Sequence, residues 1–433
     1  MSDRNNISRR DFMQKTALTV AAATAASGLA PSIGVTGAND RINVGVIGCG
    51  GIAKHHIKML GAIKDEDNVA ITACCDCYDT RANEYCDLVK ETFGEAPKKY
   101  KTLEELVADP SLDKILIATP EHQHYLNTIA ALEAGKKNIY LEKPMTKNTI
   151  ESVQLMDAVE KHGAIVQVGV HTSSDDVFLA ARDVIREGTI GKILQAQIDY
   201  CRHYYTRGPW RSEHTSNDPK PDDLDWETWI GPTKKYAWDA RRYHNWRCYW
   251  DYSGGIATDL FIHPLTTLIK ALDLQEPEGG IGIGDIYIWD DGRDIPDNYQ
   301  MTLKYPDGPM VYILGTMSNK FGLQDCIRGD KGTLVFEGGG FNVYGEANET
   351  EGKEGYNKII HTYQRQNDGS DDFYYQNNHR NHHQAMRSGD PSNLNCPVSL
   401  GHYAVCAVNV ANEGYKQGRY MKWDKEDRKM VPA

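Results

Sequence analysis

Ile42-Asn43-Val44-Gly45-Val46-Ile47 reads as a short buried strand, and it runs directly into Gly48-Cys49-Gly50-Gly51-Ile52-Ala53. A helical pattern follows, then a second apolar run, Val69 to Cys75, which ends on Asp76. Strand, glycine turn, helix, strand, acid is the dinucleotide-binding fingerprint in its structural context. Gly48 permits the tight turn, Gly50 lets the backbone approach a pyrophosphate, and Ala53 keeps helix and strand close. At Gly51 and Ile52 the helix start presents unpaired N–H groups to phosphate. Asp76 stands where a carboxylate accepts hydrogen bonds from both ribose hydroxyls and repels a 2′-phosphate, so the pattern favours NAD over NADP. Arg81 is the nearby residue that would accommodate such a phosphate. The plain alternative is a tight turn that binds nothing.

Beyond Asp76 the alternation continues. Helical patterns at Thr80 to Glu91 and Thr102 to Ala108 precede a buried strand, Lys114 to Pro120. Glu121 to Ala134 reads as a helix closed by Gly135, and Asn138 to Pro144 as the next strand. Ile150 to Lys161 is a helix and Ala164 to Val170 a last strand. The result is a doubly wound parallel sheet over residues 39–171. Ligands bind at the carboxyl ends of such strands, where Thr119, Lys143 and His171 fall.

From residue 172 to 433 the character changes. Strand-like runs at Ile193 to Tyr200, Tyr299 to Tyr305, Met310 to Met317 and Gly332 to Phe336 predict a second α/β domain with a largely antiparallel sheet. Six of the eight tryptophans (Trp210, Trp226, Trp229, Trp238, Trp246 and Trp250) lie in the stretch from Tyr204 to Tyr252 between the first two runs, which marks it as a separate aromatic region. The glycines at 338–340 form a turn, and a helix from Tyr403 to Gln417 closes the fold.

A chain of 433 residues exceeds one comfortable core, which fits two domains. The formal charge is −12; the first 38 residues contribute +2, leaving −14 for the remainder. That balance disfavours nonspecific binding to nucleic acid or an anionic membrane. The ten cysteines lack paired metal-site spacing and give no disulfide framework, and those near the glycine turn read as small apolar residues.

Residues 1–38 read as an address. Arg9-Arg10 precedes a mild apolar run, Thr16 to Ala26, and Thr36-Gly37-Ala38 offers small residues for cleavage. This resembles a twin-arginine export signal, and the run is too short and mild to span a membrane. The alternative is a basic tail. Export in the folded state to the periplasm would let a nucleotide travel inside the protein, and implies a retained or internally regenerated cofactor.

Two constellations carry chemistry. Lys143, in Glu142-Lys143-Pro144, ends a strand where an ammonium can stabilise an alkoxide, although strand-end lysines are commonly just solvated. In the second, Gly254-Gly255 to His263, Asp259 and His263 are four apart. An imidazole there can take a hydroxyl proton while the carboxylate orients it. An N-capping aspartate with a structural histidine is the competing reading. Pro264 is tolerated only in a first helical turn and so predicts a helix starting near His263. Arg242, Trp246, Arg247 and Trp250, just upstream, are candidates to line a sugar pocket, although a tryptophan run is more often simply core. The HxxHH run, His379, His382 and His383, reads as a solvated helix face and not as a metal site.

Taken together these motifs resemble the family of glucose–fructose oxidoreductase, inositol dehydrogenase and MocA (Gfo/Idh/MocA). The pattern comprises the glycine turn, Ala118-Thr119-Pro120-Glu121-His122-Gln123-His124, Glu142-Lys143-Pro144, and Gly254-Gly255 through His263. Asp225 to Pro232, Ile327 to Thr333 and Gly418 to Asp424 resemble its bacterial branch. The resemblance implies a Rossmann domain plus an open-faced α/β domain that supports a dimer or tetramer. It implies oxidation or reduction of a sugar or cyclitol hydroxyl, with Lys143, Asp259 and His263 as catalytic residues. Gly48, Gly50, Gly51, Ile52, Asp76, Thr119, Pro120, His124, Glu142 and Lys143 are expected at NAD. Lys143, His171, Trp246, Arg247, Asp259 and His263 are expected at substrate, and the Lys143–Pro144 bond is expected to be cis. Val170-His171-Thr172-Ser173 departs from the family pattern.

The expected protein is therefore an exported NAD-dependent oxidoreductase acting on a carbohydrate CH–OH group, without metal. An NAD-dependent glycosidase working by transient oxidation and elimination is the rival enzyme, and a sugar sensor holding NAD structurally is the rival from another class.

Overall fold

A computed structural model describes residues 40–204, 209–347 and 352–433. Its first sheet follows from runs buried on both faces: β1 (Ile42–Ile47), β2 (Val69–Cys75), β3 (Lys98–Tyr100), β4 (Lys114–Ile117), β5 (Asn138–Glu142) and β6 (Ile165–Gly169). They lie in the order β3-β2-β1-β4-β5-β6, all parallel. Every residue of β4 and β6 is buried, as a sheet covered by helices on both faces requires. The crossovers are α1 (Gly51–Ala62), α2 (Asp79–Phe93), α3 (Leu103–Val107), α4 (Glu121–Glu133) and α5 (Thr149–His162). Local signals place their ends. Asn148 caps α5 by accepting the Glu151 N–H at 2.9 Å, and Gly163 ends it in the left-handed region.

After α6 (Asp176–Arg186) the chain enters a ten-stranded sheet ordered β14-β13-β12-β11-β7-β10-β9-β8-β15-β16. Its strands are β7 (Ile193–Cys201), β8 (Gly279–Asp285), β9 (Asn298–Lys304), β10 (Met310–Thr316), β11 (Cys326–Gly329), β12 (Gly332–Glu337), β13 (Gly340–Gly345), β14 (Ile359–Gln364), β15 (Met421–Asp424) and β16 (Lys429–Pro432). Only the β7–β10 junction is parallel. Tyr299, Met301 and Leu303 of β9 are buried, while Thr302 and Lys304 are exposed. That alternation leaves one face of the sheet uncovered. Helices α7 (Ile262–Ala271), α8 (Asp371–Ser388) and α9 (Val398–Gln417) complete the fold, and Ile42–Ala433 is one compact unit. No helix of the described residues is long and apolar enough to cross a membrane.

Three expectations need correction. The chain is already helical before His263: a π-helical turn, Ala257–Phe261, leads straight into α7. Pro264 supplies no N–H, and the widened turn ahead of it accommodates that loss inside a continuous helix. The last helix starts earlier than read and does not close the fold, because β15 and β16 follow it and extend the second sheet. His379, His382 and His383 are not solvated: all three are 0% exposed. α8 looks polar throughout, but its histidines find buried polar partners on the first domain. The proposed address, residues 1–38, lies outside the described residues.

Candidate active site

The turn after β1 is shaped by steric limits. Gly48 has φ +86°, and a Cβ there would lie 2.8 Å from Thr119 Cγ2 and 2.9 Å from Thr119 N. Only glycine fits. A Cβ on Gly50 or Gly51 would meet nothing within 4 Å, so the backbone at the start of α1 faces open space. Such a bare helix N-terminus suits a pyrophosphate. Asp76, at the end of β2, accepts the Cys49 N–H at 2.7 Å and the Tyr78 N–H at 2.9 Å. A carboxylate retains further acceptor sites after two such bonds, enough for ribose hydroxyls. Burial raises its pKa while Arg81 and the two backbone donors oppose that. Arg81 rests over the rings of Tyr78 and Tyr243, 5.6 and 5.2 Å from their centroids.

At the ends of β4 and β5 the predicted residues come together. Thr119 packs over Gly48 and its hydroxyl accepts from Asn127 Nδ2 at 3.0 Å. His124 is buried and spans the Thr119 and Pro144 carbonyls, at 2.8 and 2.6 Å. It therefore holds the Thr-Pro turn against the Lys-Pro turn instead of facing open space. The Lys143–Pro144 bond is cis. Glu142 turns inward, with Oε1 2.9 Å from His56 Nε2 and Oε2 accepting the Lys143 N–H at 3.1 Å.

Lys143 reaches across to the second constellation. Its Nζ donates to Asp259 Oδ1 at 2.9 Å and to the Asp259 carbonyl at 2.8 Å. Arg247 Nε lies 2.9 Å from the same Oδ1, and Trp210 Nε1 donates to Oδ2 at 3.0 Å. Burial pushes the Asp259 carboxyl up, but Arg247 and Lys143 outweigh it and hold the group well below the usual carboxylate range. His263 shares the site. Burial, then the Lys143 ammonium and His171, push its pKa well down, so the imidazole is neutral. Its Nδ1 is buried and has no hydrogen-bond partner among the described residues, and the same holds for His171 Nδ1. The two rings stand edge to face with centroids 5.0 Å apart. His171 also stacks on Tyr375 at 4.1 Å and lies 3.4 Å from Asp371 Oδ1. Two orphaned imidazole nitrogens beside an ammonium form a polar niche suited to hydroxyl groups.

Of the upstream candidates, Arg247 joins the site through Asp259, and Trp246 supports it, with the guanidinium 4.1 Å from the indole centroid. Arg242 instead pairs with Asp251, and Trp250 donates to the Asp294 carbonyl. Trp226 and Trp229 are core of an aromatic cluster with Tyr243 and Tyr252. A cleft of about 730 Å³ lined by Arg211, His214, Arg241 and Cys248 borders the turn that carries Arg247. Two residues escaped the sequence reading. Trp210 is one; no local pattern couples it to a carboxylate 49 residues away. Glu121 is the other, buried and accepting from Ser253 Oγ at 2.7 Å, Gly254 N at 3.1 Å and Thr258 Oγ1 at 2.7 Å. It clamps the Gly254-Gly255 turn to the start of α4. An acid opening a helix after Thr-Pro was its only signal.

With the sheet order, this geometry defines a class: an oxidoreductase built on a dinucleotide-binding Rossmann domain. Residues 42–170 match the model of an oxidoreductase family with an NAD-binding Rossmann fold, and residues 177–343 match that family's C-terminal alpha/beta domain. The chain belongs to the Gfo/Idh/MocA oxidoreductase family. D-xylose 1-dehydrogenase (NADP(+)) of Hypocrea jecorina is 28% identical over 54% of this chain and 54% of its own. Myo-inositol 2-dehydrogenase of Thermotoga maritima is 29% identical over 43% of this chain and 48% of its own. The chain thus spans about half the length of these curated relatives. A levoglucosan dehydrogenase solved with NADH and levoglucosan superposes with a TM-score of 0.65 at 18% identity, over 88% of this chain and 99% of that one, which shows the shared fold.

Proposed function

We propose that this protein oxidises a secondary hydroxyl of a sugar, cyclitol or glycoside with NAD. The observation that carries this reading is the convergence of Lys143, Asp259 and His263, with two unpartnered imidazole nitrogens, at the carboxyl ends of the Rossmann strands. NAD held by the Gly48 to Ile52 turn and Asp76 would supply the hydride acceptor. Lys143, oriented by Asp259, donates to the substrate oxygen and stabilises negative charge as the C–H bond weakens. His263, neutral for the reasons given above, takes the hydroxyl proton through its free nitrogen. Asp259 stays ionised and fixes the ammonium; Arg247 and Trp210 occupy its other contacts. His171 offers a second nitrogen to a neighbouring hydroxyl. The names of relatives, D-xylose 1-dehydrogenase and myo-inositol 2-dehydrogenase, support a carbohydrate or cyclitol substrate.

The test is a panel of free sugars, cyclitols and glycosides mixed with protein and NAD, with product masses followed. Loss of two hydrogens from a substrate with reduction of the nicotinamide is expected. A glycoside cleaved without accumulated reduced cofactor would replace the dehydrogenase reading with the internal redox cycle. We also propose export through the twin-arginine route, supported by Arg9-Arg10 and the mild apolar run, and assembly through the uncovered face of the second sheet. Ile283 and Met310, 58% and 51% exposed, support such an interface.

A further inference from the structure

The buried histidines of α8 belong to a chain of ionisable groups that crosses the first domain. At one end, Glu142 Oε1 lies 2.9 Å from His56 Nε2, and His56 Nδ1 lies 2.9 Å from His379 Nε2. His379 Nδ1 is 3.1 Å from Lys114 Nζ, which is also 2.9 Å from His383 Nε2. His383 Nδ1 then meets Asp67 Oδ2. His56, Lys114, His379 and His383 are 0% exposed, and Asp67, with 12% of its side chain exposed, is where the chain reaches water. Where the paired histidines of an HxxHH run would converge on a metal, these two converge on an ammonium.

The ends fix the direction of every bond. With Glu142 ionised and one hydrogen on each ring, His56 donates from Nε2 and its Nδ1 accepts from His379 Nε2–H. His379 Nδ1 must then accept from Lys114. On the other side Lys114 donates to His383 Nε2, and His383 Nδ1–H donates to Asp67. Every ring nitrogen is satisfied once, with the ammonium at the centre donating along both arms. Among the described residues no carboxylate touches Lys114. Around it stand His379 and His383, with the Tyr140 ring 5.2 Å from Nζ; His382 lies near enough to feel its charge, and Asp67 acts from beyond His383. Arg380 and Arg387 face Asp67, while His56, then Lys143 and His171, outweigh burial and hold Glu142 below the usual carboxylate range. Burial, only partly offset by Asp67, brings Lys114 down to about 7. Its proton is loosely held.

We propose that Lys114 is a buried proton store, connected through His379 and His56 to Glu142 beside Lys143, and through His383 and Asp67 to solvent. Along the inner arm, Lys114 Nζ–H breaks as His379 Nδ1–H forms. His379 Nε2–H passes to His56 Nδ1, and His56 Nε2–H passes to Glu142 Oε1. One proton moves, no electron moves, and the products are a neutral amine and a neutral carboxyl. The negative charge next to Lys143 is thereby removed without water entering the site. Along the outer arm, Lys114 gives its proton to His383 Nε2, and His383 gives Nδ1–H to Asp67, which loses it to water.

The test needs no substrate. Full-length protein carrying 15N-histidine is titrated by NMR. His56 and His379 are expected to carry hydrogen on Nε2 and His383 on Nδ1, with His379 and His383, the two rings that touch Lys114, shifting together as Lys114 ionises near pH 7. Lys114→Met should abolish that transition. Asp67→Asn keeps an acceptor for His383 but passes no proton, so exchange of the Lys114 proton with solvent should slow roughly 10²-fold. Other tautomers, flat or independent titrations, or unchanged exchange in Asp67→Asn would each overturn the proposal. If Lys114→Met does not fold, the unsubstituted protein and Asp67→Asn still decide.

Discussion

Two lysines stand at opposite ends of adjacent parallel strands. Lys143 follows β5 at its carboxyl end, and Lys114 opens β4 at its amino end. Both side chains are largely or wholly withdrawn from water, yet they meet opposite chemistry. Lys143 has the Asp259 carboxylate at 2.9 Å, with Arg247 holding that carboxylate from another side. Among the described residues Lys114 has only imidazoles within hydrogen-bond reach, and burial lowers it to about 7. A buried ammonium with a carboxylate partner is a fixed charge; one with neutral acceptors is an exchangeable proton. The carboxyl end of the sheet carries the former, where the proposed reaction would develop an oxyanion.

Substitutions can break or sharpen that contrast. The largest effect belongs to Lys143→Met, which removes the fixed charge. Turnover should fall by about 10³-fold or more while NAD affinity, followed by fluorescence of bound NADH, stays within a few-fold. Asp259→Asn turns the fixed pair into one resembling the other end. It strands Lys143 and Arg247 and should cost about 3–5 kcal/mol of stability at pH 7, read by denaturant unfolding. Asp259 has a folded pKa below its unfolded value, so its contribution is present above the unfolded carboxylate pKa and is lost as pH falls. The difference between this variant and the unsubstituted protein should therefore shrink in acid.

Gly48→Ala tests the carboxyl end by shape. With φ +86° and Thr119 N 2.9 Å from the new Cβ, it should cost about 1–3 kcal/mol and weaken NAD binding, measured by thermal melting and calorimetric titration. The smallest effect concerns another group without an opposite charge. Burial and then Asp199 push Asp325 up to about 7. Between its unfolded pKa and about 7 the folded state binds the extra proton, so stability falls as pH rises through that window. Asp325→Asn should gain on the order of 1 kcal/mol at pH 8 and little at pH 5, seen in melts at the two values.

How much was legible depended on distance along the chain. The β1 turn, Asp76, Lys143 and the Asp259–His263 pair are local patterns, and each falls at the carboxyl ends of the Rossmann strands or in the candidate site beside them. Trp210 to Asp259, Glu121 to Gly254, and His56 to His379 are separated by 49, 133 and 323 residues, beyond any spacing rule. The histidines of α8 were misread because a polar composition signals solvent, whereas here polar partners on α1, β4 and β6, together with Asp67, absorb them. β8 was missed because Gly279-Gly280-Ile281-Gly282 carries little strand signal. Its glycines serve a close approach: a Cβ on Gly282 would lie 2.8 Å from the Ala411 carbonyl of α9.

The most direct measurement is single-turnover formation of reduced nicotinamide, followed by near-ultraviolet absorbance, when NAD-loaded protein and its Lys143→Met variant meet the sugar and cyclitol panel. A rise with at least one compound in the unsubstituted protein, absent in the variant although NAD remains bound, is the predicted result. No rise with any compound, or the same rise in the variant, would contradict the assignment of hydride chemistry to this site.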